Sequence, residues 1–158
     1  MYRAFKGGTG DYVALFEPTA SAIQKEGTGY ILASVGEESG LIPYTCYFTT
    51  KSYMDKNPQV IQGFTNAIYK GQQWFFSHST EEVADSIIDY FPGTDKDTIM
   101  TVIDNYKKID AIAHTPEIKE ENLNRLMDII TDYDSSLMPQ RPEFSKIVDN
   151  SFAEKAAK

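Results

Sequence analysis

Cysteine is nearly absent from this chain: Cys46 stands alone among 158 residues. A single thiol excludes an internal disulfide framework and a cysteine-built zinc site, and it leaves the redox compartment open. Histidine is almost as scarce. His78 and His114 lie far apart and neither belongs to an H-E-x-x-H pattern, so both read as surface or helix-end residues. Positive charge is thin as well. The formal net charge is −8, with no Lys/Arg cluster to displace counterions from nucleic-acid phosphates or to dock on an anionic membrane. No apolar run approaches the roughly 18 residues that cross a bilayer. Met1-Tyr2-Arg3-Ala4-Phe5-Lys6 lacks the apolar core of a signal peptide, so the expectation is a chain without an export signal of its own. Internal repeats and low-complexity stretches are also missing.

What is present is apolar and aromatic. Hydrophobic residues make up 41% of the chain and aromatic ones 13%, enough to fold and bury a core. The organising stretch is Gly10-Asp11-Tyr12-Val13-Ala14-Leu15-Phe16-Glu17-Pro18-Thr19-Ala20-Ser21. Tyr12 to Phe16 follows the breaker Gly7-Gly8-Thr9-Gly10 and reads as a short buried strand, with Tyr12 in the core. Pro18 ends it, Thr19 to Glu26 reads as a helix, and Gly27 as its stop. Glu17 thus falls on a strand-to-helix turn, the edge of an open α/β sheet at which ligands bind. Gly29 to Val35 reads as a second strand and Tyr44 to Thr50, after Pro43, as a third. Val13, Leu15, Ile31 and Leu32 are assigned to packing.

Downstream the pattern turns helical. Asn57-Pro58 supplies an N-cap and a first-turn proline for a helix through Trp74 and Phe75. Ser79 with Glu82 spells a capping box for the next helix, which ends at Phe91-Pro92-Gly93. Thr94 or Asp95 caps a helix through Tyr106. Pro116 opens another through Ile130, and Glu143 to Ala157 forms the last segment. Trp74, Phe75, Phe76, Met100 and Met127 read as core. The expected fold class is α/β: two or three short strands followed by about five helices. Short apolar strands need sheet neighbours. The strand edges are therefore expected to be completed by upstream sequence or by a second copy of the chain.

Several apparent motifs dissolve on inspection. Gly36-Glu37-Glu38-Ser39-Gly40 misplaces its serine for a nucleophile elbow. Gly7-Gly8-Thr9-Gly10 precedes its strand, whereas a dinucleotide fingerprint follows one. Asp132-Tyr133-Asp134-Ser135-Ser136 mimics part of a calcium loop, but Leu137 sits where the glycine is required, so it reads as a solvated helix end. Glu117, Glu120 and Glu121 read as an exposed face near a helix N-terminus. Glu17 and the Gly40 to Thr45 loop remain. Local sequence leaves two readings of Glu17 open: a carboxylate capping its own helix, or an acceptor facing a cleft.

The same residues carry a resemblance. Gly10 to Ala20 resembles the strand–Glu-Pro–helix motif of a family of bacterial solute-binding proteins. That family serves ATP-driven (ABC) importers of nitrate, taurine, aliphatic sulfonates and thiamine-pyrimidine precursors. The likeness continues through Ser34-Val35-Gly36, Gly40-Leu41-Ile42-Pro43-Tyr44-Thr45, Asn57-Pro58 with its helix, and Val148-Asp149-Asn150-Ser151-Phe152-Ala153. It covers nearly the whole chain, and it matches only the C-terminal half of such a protein.

The resemblance implies a type II periplasmic-binding-protein-like clamp of two α/β lobes with ligand held between them. Residues 1–42 would belong to the second lobe, and residues 43–158 would supply the return crossing strand and C-terminal helices of the first. It implies a non-catalytic substrate-binding component that hands a small organic solute to a membrane permease and ATPase. The full-length protein would work outside the cytoplasm, in the periplasm or lipid-anchored at the cell surface. Ligand would meet Glu17, Thr19, Tyr44, Thr45 and Phe16, with no metal, cofactor or nucleic acid involved. Glu17 favours a neutral or amine-bearing ligand, because burying like charges together is costly. Two other readings stand beside this one. The first is a helical interaction protein that dimerises through its strand edges without a small-molecule site. The second is a pyrimidine-precursor synthase-like enzyme, whose cysteine-rich iron segment has no counterpart around Cys46.

Overall fold

The computed structural model describes residues 1–158, and every regular element in it is helical. The α/β expectation is therefore corrected: none of the three anticipated strands forms. Tyr12 to Phe16, Gly29 to Ser34 and Cys46 to Thr50 run without helix or ladder, and Val35 instead opens a short helix. The main chain of Tyr12 to Leu15 and of Cys46 to Thr49 makes no hydrogen bond within the protein. The physical reason is that aromatic and β-branched composition reports fit to a pleated surface, not an intrinsic backbone preference. A strand without a neighbour has no ladder to hold it. Burial follows suit. Tyr12 is 81% exposed and Leu32 75%, not core, while Val13 and Leu15 are half-buried.

The chain divides into two compact units. The first comprises Met1–Glu38 and His78–Ile112. It holds helices α1 (Tyr2–Lys6), α2 (Thr19–Lys25), α3 (Val35–Glu38), α6 (Thr80–Ile87) and α7 (Lys96–Lys108). The second comprises Ser39–Ser77 and Ala113–Lys158. It holds α4 (Lys51–Lys56), α5 (Pro58–Ser77), α8 (Glu120–Tyr133), α9 (Phe144–Ile147) and α10 (Ser151–Ala156). No helix is long and apolar enough to cross a membrane.

In the first unit α6 and α7 pack on each other, and α2 lies on α7. Its core is Ile23, Val83, Ala84, Ile99 and Ile103. Each fully buried isoleucine there is worth about 1.5–3 kcal/mol. The capping box read from sequence is present. Ser79 accepts from the Glu82 N–H, and the Glu82 carboxylate accepts from the Ser79 N–H at 2.9 Å. Asp95, not Thr94, caps α7 by accepting from the Thr98 N–H at 3.0 Å.

In the second unit α5 begins at Pro58, as the sequence indicates, and α10 packs along it, with the Gln62 side chain donating to the Phe152 carbonyl at 3.0 Å. Only Met127 and Ala153 are fully buried hydrophobics here. Trp74, Phe75 and Phe76 are half-buried. The helix expected from Pro116 starts at Glu120 instead. The reason lies in Asn150, whose amide donates to the Ile118 carbonyl at 2.9 Å and accepts from the Ile118 N–H at 3.1 Å. A main chain clamped in both directions by a side chain is not available for helical bonding. The Glu143 to Ala157 segment is likewise two short helices rather than one.

Candidate functional site

Glu17 sits where α2 begins, after a cis peptide to Pro18. An α-helix leaves its first N–H groups unpaired, and a side-chain oxygen just ahead of it can accept one. Glu17 does so: Oε2 accepts from the Ser21 N–H at 2.9 Å and Oε1 from the Ser21 hydroxyl at 2.8 Å. Oε1 also accepts from the Asn105 amide of α7 at 3.2 Å, so the carboxylate ties the two helices together. Ser21 is buried beneath it. Beside Asn105, Tyr106 has its phenol pushed up, mainly by burial and secondarily by the negative charge of Glu17. Phe16, 70% exposed, precedes Glu17, and Thr19 is half-buried in the first turn of α2. Phe16, Glu17 and Thr19 are thus brought together at one helix start.

The partners Ser21, Asn105 and Tyr106 were not singled out from sequence. Ser21 was legible in retrospect, because a side-chain oxygen just ahead of a helix meets the unpaired N–H groups of its first turn. Asn105 and Tyr106 carried no signal, since their approach depends on how α2 and α7 cross. At the other end of α2, Lys25 Nζ donates to Asp95 at 2.8 Å. Asp95 also accepts from the Thr98 hydroxyl at 2.8 Å. Lys25 first, and Thr98 second, hold the Asp95 carboxyl far below the usual carboxylate range.

Tyr44 and Thr45 belong to the second unit. Both are exposed, in a stretch that follows the bend at Leu41 and precedes α4. That stretch is entered through Gly40, whose φ of +70° lies in the left-handed region that suits glycine. A Cβ on Gly40 would collide with the Arg125 guanidinium of α8, so this arginine depends on glycine to lie where it does. Near the end of α5, Phe76 stacks on His114 with ring centroids 3.9 Å apart, and Gln73 donates to the His114 carbonyl. His114 is therefore a loop residue held by an aromatic face. Asp134 caps the turn Ser135–Leu137 by accepting from the Ser136 N–H at 2.9 Å, in keeping with a helix end rather than a calcium loop.

No three His, Cys, Asp or Glu side chains converge as a metal site would require. Two surface depressions, one along Gln140–Glu143 with Lys146 and one along Lys56–Val60, are each built from a single short stretch of chain. Neither contains a residue of the expected ligand set.

Comparison with known proteins identifies a relative of this chain. The chain is 43% identical over 152 residues to a Bacillus subtilis (strain 168) protein that bears the name "Putative binding protein YtlA". The match covers 96% of this chain and 45% of YtlA, so the chain spans less than half the length of that relative. No family model matches the chain. No solved structure matches it either.

Proposed function

We propose that this chain is part of a solute-binding protein that holds a small organic solute for an ATP-driven importer, without transforming it. The observation that carries the reading is the 43% identity, across nearly all of this chain, with a protein named for binding. The chemistry on the chain is compatible with it. A carboxylate offers about four acceptor sites. Glu17 spends three on Ser21 and Asn105. It is held in a fixed orientation with capacity to accept one more donor. Beside it, Phe16 presents ring surface and Thr19 a hydroxyl. In this reading Phe16, Glu17 and Thr19 contact the ligand, which is neutral or amine-bearing because a second negative charge beside Glu17 would be costly. The protein would act outside the cytoplasm and would pass its cargo to a permease and ATPase. Ligand would select the conformer that binds it better, which is how a binding protein signals occupancy.

A thermal-shift screen of neutral and amine-bearing metabolites tests this. A solute present at about a hundred times its Kd stabilises by about 2.7 kcal/mol, a readable rise in Tm. The reading expects such a rise from at least one solute, and its reduction in Phe16→Ala, an exposed position whose change leaves the Glu17 side-chain bonds intact. A folded chain whose Tm responds to no solute overturns it.

A further inference from the structure

Arg125 is an exposed residue of α8 whose guanidinium makes no hydrogen bond or ion pair within the protein. Carboxylates are at hand on its own helix. Glu121 stands four residues before it and Asp128 three after, the spacings at which helical ion pairs form. Arg125 pairs with neither, and Asp128 is taken by Arg141 at 2.6 Å. The guanidinium lies instead against Gly40, with Nη1 in the space that a Cβ on Gly40 would fill.

Gly40 brings donors of its own. The N–H groups of Gly40 and Leu41 donate to nothing within the protein. They flank the Cα that the guanidinium approaches. Gly40 follows a turn residue and has a φ of +70°. Successive N–H groups in a turn or left-handed conformation form a concavity that accepts an anion. Main-chain and side-chain donors therefore meet at one spot, and no carboxylate of the chain occupies it. Gly40 to Thr50 contains no charged residue at all.

We propose that Arg125 and the N–H groups of Gly40 and Leu41 form a binding site for a carboxylate. A guanidinium fork donates two parallel hydrogen bonds to a pair of coplanar oxygens, which a carboxylate offers. Its single negative charge balances that of Arg125. A phosphate dianion would leave a negative charge uncompensated near Glu121, on a chain of net charge −8. The inference goes beyond the ligand reading, because none of Gly40, Leu41 and Arg125 belongs to the contacts proposed for it, and Glu17 lies in the other unit.

The test is an amide-resolved NMR titration of the chain with acetate at constant ionic strength. The expected result is saturable movement of the Gly40 and Leu41 amide signals and of the Arg125 Nε signal. Arg125→Gln should weaken acetate binding at least about tenfold. The circular dichroism and Tm of the free variant should stay unchanged, since this side chain is exposed and unpaired. Arg125→Lys, which keeps the charge and loses the fork, should fall between the two. An end-capped glutamate peptide run beside acetate separates the sources of the group. Tighter peptide binding names an acidic side chain, tighter acetate binding a free metabolite, and either supports the site. Amide signals that acetate leaves unmoved overturn the proposal, as does movement that persists undiminished in Arg125→Gln. A lysine variant that binds as well as the parent reduces the effect to charge attraction and overturns it too. Saturation by phosphate or methanesulfonate at lower concentration than acetate assigns another oxyanion and overturns it equally.

Discussion

Single residues in this protein are held mostly by short-range polar contacts, several of which favour the charged form of a carboxyl. The Asp95 carboxyl sits far below its ordinary value because Lys25 and Thr98 favour the charged form. Glu82, bonded by Ser79, and Asp149, bonded by Ser151, are lowered as well. A carboxyl whose folded pKa is depressed contributes stability above its unfolded value of about 4, and loses it as pH falls through the folded value. Tm should therefore fall steadily on acidification below about pH 4. Asp95→Asn should lower Tm at neutral pH and flatten that acid slope, which thermal melts across a pH series would show. An unchanged slope would remove Asp95 from the explanation. Gly40 makes a second residue-scale case. Gly40→Ala meets both the left-handed φ and the Arg125 guanidinium, and should destabilise by about 1 kcal/mol or more. Adding Arg125→Ala should recover the steric part and leave the φ part, a partition that urea denaturation of the two variants can resolve.

Helices whose signals are local were legible in the sequence, and elements that need a distant partner were not. The Ser79–Glu82 box spans four consecutive residues, and it forms as read. Ser79→Ala should cost about 0.5–2 kcal/mol, and Glu82→Ala a similar or smaller amount, by chemical denaturation. Pro58 and Asp95 likewise start α5 and α7 from within their own first turns. The segments Tyr12 to Phe16, Gly29 to Val35 and Tyr44 to Thr50 have strand composition, yet pairing is a property of two segments, and no second one lies alongside. The start of α8 was misplaced for a related reason, because Asn150 grips Ile118 from 32 residues away. Asn150→Ala should free the stretch before α8, seen as faster amide exchange from Glu117 to Lys119 with little change in α7. At the candidate site, sequence singled out Glu17 but not Asn105, whose contact depends on the packing of α2 against α7.

The whole molecule is unevenly buried. The first unit gathers Ile23, Val83, Ala84, Ile99 and Ile103, whereas fully buried hydrophobics in the second are Met127 and Ala153. Ile99→Ala should cost about 2–5 kcal/mol, because it opens a cavity in the better-packed unit. Large aromatic and aliphatic side chains, Tyr12, Leu32 and Phe48 among them, face outward instead. Under the proposed function, a small solute meets the residues around Glu17. Equilibrium dialysis against the solute that raises Tm most, with mass analysis of what is recovered, tests that assignment most directly. The account predicts saturable retention of one equivalent per chain, with the solute's mass unchanged. Failure to retain any solute, or recovery of a chemically altered one, would contradict it.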